Sequence, residues 1–198
     1  DPGRAACGEL IYDVVRQLGP VTAEIAQPLY VAVSTDTGCF QYGNTTPATH
    51  RVAAALMEAG IDYASLNKRH FRTKSFRRLR IESMIVEGME RYDGGKTAVA
   101  TVTLAMMAAL GAHEEDVEDI AAFVGQTEGV ETSVTIRELA EGECKLSVRT
   151  SGGLNATRVC ALLGGGGHAA AAGCTVKGSV ADAREAILNA IRTVQRDG

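Results

Sequence analysis

No stretch of this 198-residue sequence approaches ~20 consecutive apolar residues, so no helical membrane span is expected. The nearest candidate, residues 97–110, is too short and rich in Ala and Thr. No secretory leader is read either, since there is no basic start followed by an apolar run and a small-residue cleavage site. The five cysteines (Cys7, Cys39, Cys144, Cys160 and Cys174) are odd in number, widely spaced and without a CxxC pair. That pattern argues against a disulfide framework and a zinc site, and predicts buried or half-buried free thiols in a reducing, cytoplasmic setting. An initiator Met is missing too. The chain opens on Asp1-Pro2, which reads as an internal starting point with Asp1 available as a helix cap. None of its four histidines, His50, His70, His113 and His168, is adjacent to another. Apart from the glycine and alanine runs there is no repeat and no low-complexity segment.

What is present suits a soluble globular protein: 45% apolar and 22% charged residues, enough for one large domain or two small ones. The net charge of −4 is unevenly spread. Lys68, Arg69, Arg72, Lys74, Arg77, Arg78 and Arg80 form a cluster with no acid among them, on an otherwise acidic chain. Such a patch suits an anionic ligand, or else a solvated helix face.

Residues 4–18 show helical periodicity through Leu10, Ile11, Val14, Val15 and Leu18, closed by Gly19-Pro20. Thr22 can cap a second helix through Ile25, Ala26, Leu29, Tyr30 and Val33, which Pro28 is expected to kink or end early. A third helix starts with Thr46 as cap and Pro47 at its first position, and ends at Gly60. Residues 62–92 read as mostly helical. Asp93-Gly94-Gly95 then breaks the pattern and β-branched residues take over, which places a domain boundary there. After it, residues 97–104 read as a strand, 114–124 as a helix with an acidic first turn, and 130–137 with 145–151 as a hairpin across Glu141-Gly142-Glu143. Asn155 can cap a helix ending in the glycine run, 173–176 reads as a strand and 181–194 as a closing helix. The second half is therefore an α+β arrangement, a sheet covered by helices.

The run Gly164-Gly165-Gly166-Gly167-His168 carries the strongest signal. Successive glycines lose much backbone entropy on folding, so they are expected where left-handed angles or very close approach are needed. Free amides in that geometry form a concave nest for phosphate, and His168 can donate to the same anion. The loop is not a P-loop, since the Lys-Ser/Thr is absent. It is not a dinucleotide fingerprint either, because a helix rather than a strand precedes it. A long glycine helix cap with an incidental histidine is the alternative.

Gly165-Gly166-Gly167-His168 followed by Ala171-Ala172-Gly173 resembles the GGGH…AAG signature of the DHH-associated C-terminal domain. Thr35-Asp36-Thr37-Gly38-Cys39-Phe40-Gln41-Tyr42 with Asn44-Thr45-Thr46 resembles the TDTGxFxY…NT segment that closes the N-terminal domain of the DHH phosphoesterases. Asp1-Pro2 with Ala5-Ala6 and Glu9 is similar to the segment after the DHH triplet. The resemblance implies three parts: residues 1–61 as the helical C-terminal remnant of a DHH catalytic domain, 62–93 as a helical connector, and 94–198 as a mixed-sheet, substrate-binding DHH-associated domain covered by helices. Motif order and Val148-Arg149-Thr150-Ser151 look most like the branch that cleaves very short RNAs and dephosphorylates 3′,5′-bisphosphorylated adenosine.

That resemblance implies a hydrolase with two manganese ions, which would polarise the phosphate and generate a hydroxide from water. Asp36 matches the family's last metal-binding aspartate. Arg149 matches an arginine that contacts the nucleotide, and Gly165, Gly166, Gly167 and His168 match the substrate-phosphate site, with Ser151 and Asn155 close enough in sequence to line it. The implied substrate is a short RNA or a nucleotide, with no membrane partner and room for a homodimer. The DxD pair, a further Asp and the DHH triplet do not occur in this chain, so it is expected to be inactive alone. A relative cleaving cyclic dinucleotides, and a non-catalytic nucleic-acid-binding module gripping a backbone through the basic cluster, stand as alternatives.

Overall fold

A computed structural model describes residues 3–117 and 120–196. Asp1 and Pro2, part of the opening resemblance, and two residues of the expected 114–124 helix lie outside the described residues. The chain divides into two compact units, Asp1–Thr73 and Lys74–Gly198.

The first unit is helical. Helix α1 (Cys7–Leu18) buries Gly8 and Glu9, whereas Ile11, Val14 and Leu18 of its apolar stripe are exposed. Glu9 is fully buried. Its carboxylate accepts from Thr49 Oγ1 at 2.7 Å and from Arg4 at 3.4 Å, so the charge is compensated where water cannot reach. Helix α2 (Ala23–Asp36) continues past Pro28, so of the expected kink or early end the early end does not occur. The exposed proline costs one backbone bond, and burial of Ala26, Leu29, Tyr30 and Val33 on the opposite face offsets it. Helix α3 (Pro47–Glu58) has the expected start. Thr46 and Thr49 form a reciprocal capping box with Pro47 at the first position. Helix α4 (Tyr63–Asn67) continues into a π-helical turn, Lys68–Arg72, and Asn67 donates to the Tyr30 hydroxyl at 3.1 Å.

The second unit begins with helix α5 (Phe76–Gly88), which packs on strand β2 (Thr97–Val102). The segment expected as a connector therefore splits at Thr73/Lys74, and its second half joins the sheet domain. Strand β1 (Glu90–Tyr92) replaces the last turn of helix expected there, because Asp93 and Gly94 take positive φ angles and fold it back on β2. Strand β2 ends two residues earlier than expected. Thr103 accepts from the Met106 amide and caps helix α6 (Leu104–Leu110), whose sequence lacks β-branched residues. The expected acidic helix is a 3-10 turn, Glu114–Val117, followed by helix α7 (Ile120–Val124). Strands β3 (Thr132–Ala140) and β4 (Glu143–Thr150) form the expected hairpin. Helix α8 (Ala156–Ala161), strands β5 (Gly166–His168) and β6 (Ala171–Lys177) and helix α9 (Val180–Arg196) complete the unit.

The sheet order is β1-β2-β3-β4-β6-β5, antiparallel except for the parallel β2–β3 pair. That parallel pair requires a crossover, which α6 and α7 supply. One face of the sheet carries Val99, Val134, Ile136, Leu146, Val148, Ala172 and Cys174 and packs on α8 and α9. The other face is covered over β2 and β3 by α5, α6 and α7 through Ala98, Ala100, Val102, Val117, Ile120 and Val124. Among the cysteines, Cys144, Cys160 and Cys174 are buried and Cys39 is half-buried, but Cys7 is exposed on the outer side of α1.

Candidate functional site

The glycine run is less open than the expected nest. The Gly165 amide donates to Cys160 O at 2.8 Å and the Gly164 amide to Ala161 O at 3.1 Å, with Gly164 at φ +74°. These two bonds form a Schellman cap on α8, so two of the expected free amides are already used. Gly166, Gly167 and His168 then pair with β6, opposite Gly173, Ala172 and Ala171. A Cβ on Gly165 would lie 2.2 Å from Gly173 O, and one on Gly167 would lie 2.6 Å from Ala171 O. Backbone approach between β5 and β6 thus accounts for both. Gly166 is different: it is exposed, its φ is not positive and nothing lies within 4 Å of where its Cβ would be. The fold does not require glycine there.

Register puts Arg149, Ala171 and His168 in one cross-strand row over β4, β6 and β5. The next row along the same face is Ser147, Gly173 and Gly166. Paired residues in antiparallel strands point to the same side, and this side is opposite the core carrying Leu146, Val148 and Ala172. Arg149 and His168 therefore stand two strands apart, roughly 10 Å between their backbones at ~4.8 Å per strand. Between them lies Ala171, with Gly173 and Gly166 in the adjoining row. The floor is low and the two sides carry a half-buried guanidinium and an exposed imidazole, a shape that can receive a phosphate-bearing group. The turn after His168 is tied down from below. Ala169 O accepts from the Ala156 amide at 2.8 Å and from Thr150 Oγ1 at 3.2 Å, and Ala170 O accepts from the Thr150 amide at 3.0 Å.

Two residues expected beside this site have other work. Ser151 donates to Glu131 O through both its amide, at 2.8 Å, and its hydroxyl, at 3.4 Å. Asn155 caps α8 by accepting from the Arg158 amide at 3.2 Å. Asp36 belongs to the first unit, where it is the exposed last residue of α2. Among the described residues no three His, Cys, Asp or Glu side chains cluster as metal ligands. The donors among the described residues do not complete a metal centre.

Three of the seven residues of the basic cluster are structural. Lys74 and Arg78 both reach the buried carboxylate of Glu82 at 2.8 Å, and Arg77 reaches that of Asp116 at 3.0 Å. Sequence reasoning missed Thr135 and Arg137 on β3 and Lys145 and Ser147 on β4. They line, with Arg149, a groove of about 400 Å³ whose other wall is Val102, Val117, Ile120 and Ala121. The signal was available in the strict alternation of Lys145, Ser147 and Arg149 with Leu146 and Val148.

A family model described as the DHHA1 domain matches residues 94–197, which includes β2 through α9 and the whole glycine–histidine segment. The chain is 40% identical over 97% of its length to the bifunctional oligoribonuclease and PAP phosphatase NrnA of Thermus thermophilus, and it spans 58% of that relative. It superposes with a TM-score of 0.89 on a crystal structure from Bacteroides fragilis described as an exopolyphosphatase-related protein. That likeness, at 24% identity, covers 97% of this chain and 57% of the other and concerns the fold. In the described residues no helix is long and apolar enough to cross a membrane. With more than half of its residues in the matched domain and the GGGH segment on its edge strand, the chain belongs to the DHHA1 family.

Proposed function

We propose that this chain is the nucleotide-holding part of a metal-dependent DHH phosphoesterase that hydrolyses short oligoribonucleotides and 3′,5′-bisphosphorylated adenosine. The observation that carries this reading is the Arg149–Ala171–His168 row, a half-buried guanidinium and an exposed imidazole across a floor of alanine and glycine. The 40% identity to a protein named as an oligoribonuclease and PAP phosphatase supports the substrate class. In this reading Arg149 grips phosphate through two parallel N–H donors and His168 donates a further hydrogen bond. Gly165 and Gly167 hold β5 tightly against β6, and Gly166 leaves room for the ligand's oxygens. Ser151 fixes the end of β4 through Glu131 and lends only position.

For the whole protein we propose manganese, with Asp36 contributing one carboxylate, a hard donor suited to that ion. A cytoplasmic location and a homodimer belong to the same proposal. The metal assignment is tested in the full-length protein by Asp36→Ala. Manganese-dependent phosphate release from adenosine 3′,5′-bisphosphate should be lost while the thermal unfolding midpoint is kept, since Asp36 is exposed. Retained turnover would remove Asp36 from the metal site.

A further inference from the structure

We propose that the groove beside Arg149 is a second nucleotide subsite, which receives the phosphodiester and next nucleoside of a short oligonucleotide whose terminal phosphate lies in the Arg149–His168 row. The proposal rests on the functional reading above and specifies how substrate length is recognised. Two independent features of the groove point to an anion, and a third bears on what accompanies it.

Arg137 and Lys145 are directly opposite each other on β3 and β4. Like charges in a directly opposed cross-strand pair are destabilising, and here Arg149 adds a third cation along the same face. The carboxylate of Glu114, mostly exposed, pairs with Arg137 and is the one acid among the described lining residues. Lys145 and Arg149 form no ion pair among the described residues, so the groove floor carries an excess of positive charge. The second feature is Thr135, only 5% exposed, whose Oγ1 is buried and has no hydrogen-bond partner. An unmade bond at a buried hydroxyl costs about 1–3 kcal/mol. Thr135 lies opposite Ser147, so two hydroxyls stand side by side between the cations. The third is the opposite wall. Val102, Val117, Ile120 and Ala121, each more than nine-tenths buried, close the groove on its apolar side. A phosphate on the cationic floor satisfies the first two, and the edge of a base or ribose fits the apolar side.

The groove is continuous with the first site through Arg149, which lines both. Ser147 and Lys145 continue from it along β4, at ~3.4 Å per residue, so a chain leaving the Arg149–His168 row along this strand meets them in order.

The test compares adenosine 5′-monophosphate with 5′-phosphorylated diadenylate, by calorimetry on the whole chain, in wild type, Lys145→Ala and Thr135→Val. Wild type should bind the dinucleotide at least tenfold more tightly than the mononucleotide. In Lys145→Ala that preference should fall to within about threefold. The slope of log affinity against log salt for the dinucleotide should also drop by about one, as for one lost phosphate contact. Thr135→Val, which replaces the orphan hydroxyl by a methyl of similar size, should reduce the preference without lowering the unfolding temperature. Equal affinity of wild type for the two ligands, or an undiminished preference in Lys145→Ala, would overturn the subsite. Wild type binding neither ligand would instead contradict the proposed function on which the subsite rests.

Discussion

At Gly167 the backbone takes φ +144° and a side chain would meet the β6 backbone at 2.6 Å, while at Gly166 a side chain would meet nothing within 4 Å. The two neighbours therefore separate fold from ligand. Gly167→Ala should destabilise the chain by about 1–3 kcal/mol, because strain and overpacking act together. Gly166→Ala should leave stability within about 0.5 kcal/mol of wild type yet weaken nucleotide binding. Thermal melts paired with nucleotide titrations of the two variants check this. A Gly166→Ala variant that binds nucleotide as wild type does would show that nothing approaches the strand there. The entropic cost of four successive glycines was legible in the sequence. Their division into a helix cap, two close approaches and one open position was not, since it depends on which strand lies beside them. Ser151 and Asn155 show the same limit. Their proximity in sequence to the loop was visible, but their hydrogen bonds to Glu131 O and the Arg158 amide are set by the fold.

Helix α5 illustrates how an element borrows charge from a motif that looked functional. Burial pushes the Glu82 carboxyl up, but hydrogen bonds from Lys74 and Arg78 and their charges outweigh this and hold it below the usual glutamate range. Asp116 is likewise held low, first by the Ser75 hydroxyl and then by the His113 amide, with Arg77 alongside. These carboxylates bind fewer protons folded than unfolded. Their contribution is complete above the ordinary carboxylate range, about pH 4, and is lost as pH falls through the lowered folded values. Glu82→Gln should cost about 2 kcal/mol at pH 7, in the range for hydrogen bonds to charged groups. The gap between variant and wild type should close as pH drops below about 4. Denaturant titrations at pH 7, 4 and 3 check it, and a gap independent of pH would mean that the charge of Glu82 does not matter. The composition of the 68–80 segment revealed its cations. It could not reveal Glu82, four residues beyond Arg78 on the same helix face, or Asp116, which is brought in by tertiary packing. Boundaries shifted for the same reason: α5 reads as a connector by periodicity alone, and only its packing on β2 assigns it to the sheet unit.

In the molecule as a whole, most elements were legible because each has its own local signal: Thr46-Pro47 for α3, the Glu141-Gly142-Glu143 turn for the β3–β4 hairpin, the alternation along β4. The edge strands β1 and β5 were not, because three-residue strands rich in glycine or flanked by a helix have too little period to detect. The glycine–histidine segment was found, but its partner Arg149 was placed by resemblance, and the groove with Thr135, Arg137 and Lys145 emerged only once β3, β4 and β6 were in register. Arg149 and His168, facing each other across Ala171, are proposed to hold a nucleotide's phosphate. Isothermal titration of adenosine 3′,5′-bisphosphate into the wild-type chain, Arg149→Ala and His168→Ala tests it most directly. Wild type should bind, and each variant should lose roughly ten- to a hundredfold, matching about 1.5–3 kcal/mol for a hydrogen bond to a charged group. Variants that fold and bind as tightly as wild type would contradict it.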